Sequence, residues 1–120
     1  MKNIELLLKD LSARIPYRVK FIDILNPKEK PSTLESIGIS ELVMNTDGDT
    51  FELEKIKPYL IPMDEMTEEQ EIEFKSTCNG WCDYYWTSET FDWLNKNYFD
   101  FRGLIPLGLA LSAVGLGIYD

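Results

Sequence analysis

A chain of 120 residues is the size of one ordinary domain, and 44% apolar with 28% charged residues is a globular composition, which excludes disorder and low complexity. Twelve basic against 21 acidic side chains leave a net charge of −9, which opposes nonspecific attraction to nucleic acid or to an anionic membrane surface. Histidine is absent, which removes the commonest proton-transfer group near neutral pH and every Ser-His or Cys-His nucleophile pair, so a non-enzymatic protein without catalytic residues is expected.

Ile4, Leu7, Leu8, Leu11 and Ile15 recur at helical spacing, with Glu5, Lys9, Asp10 and Arg14 on other faces in acid-before-base pairs four residues apart. This predicts an amphipathic helix over 3–14, with Asn3 as its N-cap and Pro16 ending it. Tyr17, Val19 and Phe21 alternate with Arg18 and Lys20 as a strand does, and the phase shift at Ile22, Ile24 and Leu25 points to a bulge near Phe21. The loop 26–32 carries two prolines and three charges. Residues 33–39 and 41–46 are β-rich, and Asp47-Gly48 before Thr50 to Glu54 is a hairpin signal, with both central turn residues expected at positive φ. The same turn explains Asn45, Asp47 and Asp49, because a calcium loop would need glycine where Thr50 stands and glutamate where Ile56 stands. The first half therefore predicts a helix and a four-stranded antiparallel meander, curled by analogy into an SH3-like barrel.

The balance of charge changes after residue 60. Residues 1–60 carry nine basic and ten acidic side chains, and 61–120 carry three and eleven. Thr67-Glu68-Glu69-Gln70 is a capping box that opens a helix over 68–77. Asn79-Gly80 breaks it, and 78–88 reads as an irregular packed loop. Thr90 is expected to cap a third helix through Phe91, Leu94 and Tyr98 that ends near Asn97, followed by a glycine-punctuated apolar tail with a short helix at 103–108. The apolar run 104–119 would rise only about 24 Å as a helix against a hydrocarbon core of about 30 Å, and it contains Pro106, so no membrane span is expected. The whole reads as a single α+β domain over 1–120: helix plus sheet over 1–60, and two or three helices packed on it over 61–120.

Nine of the fifteen aromatic residues fall within 81–101. Burying one ring is worth about 2 to 3 kcal/mol, so most of them are expected in the core. Trp81, Tyr84, Tyr85 and Trp86 lie on the loop and are the candidates for an exposed anchor that binds a protein partner. Arg18, Lys20, Lys55 and Lys57, with Lys28 and Lys30, are the alternative, a phosphate-contacting face of the barrel. The acids from Asp64 to Glu73 read as a solvated helix face, with a nucleic-acid mimic as a further alternative. Cys78 and Cys82 have neither the redox Cys-x-x-C spacing nor further ligands for zinc, so they are expected as buried apolar residues in a reducing cytoplasm, with no cofactor and no metal.

The segments KDLSARIPYRVK, KIKPYLIPMDEMTEEQ and TFDWLNKNYFDFRGLIPLGLAL, with Asp92-Trp93-Leu94-Asn95 and Asp100-Phe101-Arg102-Gly103-Leu104 in the last, resemble a family of small proteins encoded by gut Bacteroides and their prophages. The resemblance covers most of the chain and implies a cytoplasmic accessory protein of mobile-element origin. The family carries no assigned activity, cofactor or catalytic residue, so it adds no site residue.

Overall fold

A computed structural model describes residues 2–119. Helix α1 (Lys2–Arg14) places Leu7 and Leu11 in the core and gives way at Pro16 to a single-turn 3-10 helix, Ile15–Tyr17. The helix begins one residue before Asn3, so Asn3 lies within it and is not its cap.

Strands β1 (Lys20–Asp23), β2 (Ser32–Ile37), β3 (Leu42–Asn45) and β4 (Thr50–Glu52) form the expected antiparallel meander. A further strand, β5 (Ile56–Leu60), pairs antiparallel with the free side of β1, and the two-residue β6 (Leu111–Ser112) runs parallel beside β5. The order β4-β3-β2-β1-β5-β6 is an open mixed sheet, not a closed barrel. The place beside β1 that β4 would need for closure is taken by β5. Pro58 and Pro62 flank this strand's C-terminal half, and prolines ordinarily weaken a strand. Yet Pro58 sits opposite Phe21, where β6 does not reach and a missing N–H is tolerated.

One face of the sheet carries Val19, Phe21, Leu34, Val43, Ile56 and Leu60, which close over α1 together with Leu104 from the tail. The register irregularity expected near Phe21 falls instead on β2, between Leu34 and Ser36. The β3–β4 turn is a three-residue loop. Asn45 N–H donates to Asp49 O at 3.0 Å, Gly48 N–H donates to Asn45 O at 3.1 Å, and Gly48 alone of the expected pair has positive φ, +87°. The Asn45 side chain makes this turn possible without a second left-handed residue, its Oδ1 accepting from the Asp47 and Asp49 N–H groups at 3.0 and 2.9 Å.

Helix α2 (Glu68–Thr77) starts at the expected capping box, with Thr67 Oγ1 accepting from Gln70 N–H at 3.1 Å and Gln70 Oε1 accepting from Thr67 N–H at 2.9 Å. Helix α3 (Ser88–Lys96) is capped by Thr87, not by Thr90. Thr90 is the third helical residue and returns the bond to the Thr87 N–H at 3.1 Å. Residues 103–108 are turns, not a helix. There Asp100 accepts from the N–H groups of Leu104 and Ile105 at 2.7 and 2.9 Å. Among the described residues no helix is long and apolar enough to cross a membrane.

Candidate functional site

The loop between α2 and α3 is fixed by its own chemistry. Beyond Thr77 the chain reverses through Asn79 and Gly80, both left-handed at φ 51° and 83°, and Gly80 N–H donates back to Lys75 O at 2.9 Å. Cys78 and Cys82 are joined by a disulfide with their Cα atoms 5.4 Å apart; Cys78 is buried as expected, while Cys82 is only half-buried. The pairing also removes the thiol-based reason for expecting a reducing compartment. Trp81 O then accepts from the N–H groups of Tyr84 and Tyr85, each at 2.8 Å, closing a second turn. At the far end Thr87 Oγ1 donates to Thr77 O at 3.1 Å, and Thr77 Oγ1 donates to Thr90 Oγ1 at 3.0 Å. Both feet of the loop are therefore bonded to the helices they join.

The four candidate aromatics part company on this frame. Trp81, Tyr84 and Tyr85 keep 59%, 77% and 69% of their surface exposed, and the Trp81 and Tyr84 rings lie 6.2 Å apart at 55°. Trp86 turns inward. Its Nε1 donates to Cys82 O at 2.9 Å, and its ring meets Phe74, Phe91 and Phe101 edge-on at 5.5 to 6.0 Å. It supports the loop and is not part of the exposed face. Acids surround the exposed rings in sequence: Asp83 stands between them, and over 68–92 there are seven carboxylates against Lys75 alone.

Of the basic alternative, Lys20 and Lys57 share one face of the sheet, because Ile22 on β1 stands opposite Lys57 on β5. Arg18 sits just before β1 and pairs with Glu35 at 3.9 Å, and Lys20 Nζ donates to Thr33 Oγ1 at 2.6 Å. Lys55 lies in the 3-10 turn that precedes β5.

A charged cluster escaped the sequence reading. Asp10 and Arg14 are fully buried, and the Asp10 carboxylate accepts from Arg14 Nε and Nη2 at 2.9 and 3.0 Å and from Arg102 Nη1 at 2.6 Å. Arg14 Nη2 also donates to Phe99 O at 2.6 Å, while Arg14 Nη1 is buried without a partner. Both guanidinium groups lie over the Phe101 ring, at 5.6 and 4.3 Å from its centre. The signal was present in the sequence, since Arg14 continues the Leu7 and Leu11 stripe at the next helical step.

Elsewhere the surface is shallow. An open groove of about 520 Å³ runs along Ile61, Glu65 and the 113–119 tail, where Glu65 and Tyr119 are its ionisable lining residues. Burial pushes the Tyr119 hydroxyl well above the ordinary phenol range, and it donates to Tyr59 O at 2.7 Å while accepting from Lys20 N–H at 2.8 Å. Among the described residues no group of three or more acidic or cysteine side chains is placed to hold a metal ion. Comparison with protein-family models, with curated proteins and with solved structures found no match.

Proposed function

We propose that this chain is a non-enzymatic accessory protein that binds another protein, using the 78–86 loop as its docking element and Trp81, Tyr84 and Tyr85 as anchors. The observation that carries this reading is the exposure of three large rings on a loop bonded at both ends. Each ring forgoes about 2 kcal/mol of burial, and a fixed backbone lowers the ordering cost of binding. Trp and Tyr are also the residues most often found as interface anchors. The prophage-linked, cytoplasmic setting implied by the sequence resemblance belongs to the same proposal.

Nucleic-acid binding through Arg18, Lys20, Lys55 and Lys57 is the weaker reading. Two of those four cations are already engaged by Glu35 and Thr33, and the net charge of −9 opposes approach of a polyanion. The acidic-mimic alternative uses the carboxylates of α2 but leaves the exposed rings without a role.

The test compares the immobilised chain with its Trp81→Ala/Tyr84→Ala/Tyr85→Ala variant for proteins captured from a lysate of the encoding cell. A protein held by the native chain and lost by the variant is expected. Identical capture by both overturns the docking role.

A further inference from the structure

We infer that the occupant of the 78–86 loop is a lysine- or arginine-rich segment of the partner, its cationic heads seated on the exposed rings and neutralised by the carboxylates around them. This rests on the docking role of the loop and names the chemistry it recognises.

Asp83 carries the argument. It lies on the loop between Trp81 and Tyr84, it is exposed, and among the described residues it has no ion-pair partner. An apolar partner laid over the whole 81–85 turn would desolvate this exposed carboxylate without a counter-charge, which is strongly unfavourable. A cationic partner supplies the counter-charge and gains from the same rings. The Trp81 and Tyr84 rings, 6.2 Å apart and tilted by 55°, are both exposed and can each attract a cation seated over the ring face within about 6 Å of its centre. Arg102 over Phe101 at 4.3 Å is the same contact made within the fold. The carboxylates of α2 extend the negative field beyond the loop: Glu68, Glu69, Glu71 and Glu73 are all exposed there, against Lys75 alone. The same field opposes a second copy of this chain, which brings another −9 to the contact.

The probe is a short fluorescent peptide of alternating Arg, Lys, Gly and Ser, with two counterparts in which every Arg and Lys is replaced by Gln or by Leu. Anisotropy titrations with the full chain are expected to show binding of the cationic peptide alone, weakening between about 20 and 200 mM salt. Trp81→Ala/Tyr84→Ala is expected to weaken it by about tenfold and Asp83→Asn by about threefold, with unchanged circular dichroism because these side chains are exposed. Equal binding of the Leu peptide, lost on ring substitution, overturns the cation chemistry and leaves the docking loop in place. Cationic binding indifferent to the ring substitutions is diffuse attraction to the acidic face and overturns the inference, the docking role again being decided by the capture experiment. Binding of none of the three peptides overturns the inference, while the capture experiment still decides the docking role.

Discussion

At the scale of single residues the fold depends on a few side chains whose surroundings leave one good choice. Gly48 has φ +87° and nothing within 4 Å of where a Cβ would stand, so the penalty of replacement lies in the backbone and not in packing. Gly48→Val is expected to cost about 1 to 2 kcal/mol and Gly48→Asn less, because Asn tolerates the left-handed region, as measured by urea unfolding. Asp10 presents the opposite case, a carboxylate surrounded by two guanidinium groups in the interior. Asp10→Ala leaves Arg14 buried and unpaired and is expected to cost about 3 to 5 kcal/mol. Asp10→Leu with Arg14→Met removes both charges of the pair and is expected to cost less than Asp10→Ala, and a larger loss in the double variant would mean that the pair itself stabilises the fold. Burial raises the affinity of Tyr119 for its proton, as it does for Tyr98 stacked against it at 3.7 Å. The unfolded chain releases these protons from about pH 10 and the folded chain only at higher pH, so their contribution to stability is complete below about pH 10 and falls as pH rises beyond it. Unfolding midpoints at about pH 9 and 11 are expected to differ less in Tyr119→Phe than in the native chain.

At the scale of elements, periodicity and the capping box of α2 were legible, while the caps of α1 and α3 and long-range pairing were not. The stripe of α1, the capping box of α2 and the meander follow from spacing rules that act over a few residues. β5 was hidden because Pro58 and Pro62 signal a break locally, and only the free edge of β1 reveals a partner for 56–60. The spacing of Asp10 and Arg14 marks them as a pair but is the same on either face of a helix, so their burial was signalled only by Arg14 continuing the Leu7 and Leu11 stripe. In the loop, the aromatic run marked the site, but sequence alone does not distinguish Trp86, which packs on Phe74 and Phe101, from Trp81, which does not turn inward. The Cys78–Cys82 bridge closes a short ring at the end of α2, worth about 2 kcal/mol by the chain-entropy argument. Reduction, or Cys78→Ser/Cys82→Ser, is expected to lower stability by up to that amount while leaving the far-ultraviolet dichroism of the sheet and helices in place. Complete loss of structure would show that the bridge holds more than its own loop.

At the scale of the whole molecule the chain divides its apolar residues between two tasks. Aliphatic residues dominate the core between α1 and the sheet, where Phe21 is the one fully buried ring, while most rings of 81–101 gather in a second layer. In that layer Phe74, Trp86, Phe91 and Phe101 join α2, the loop and α3, and Trp93 stacks on Phe99 at 5.5 Å. The expectation that most of these rings lie in the core is met by this second layer and not by the core between α1 and the sheet. The rings fasten the helices to one another and, through Arg14 and Arg102 against Phe101, to the end of α1. That layer raises the 78–86 loop on a firm base and leaves three rings outside it. Amide hydrogen exchange of the chain, free and bound to a protein captured through it, tests this division most directly. Slowing on binding is expected at the amides of 79–86 and the adjoining turn of α2, with β1 and β5 unchanged; slowing confined to β1 and β5, around Lys20 and Lys57, contradicts it.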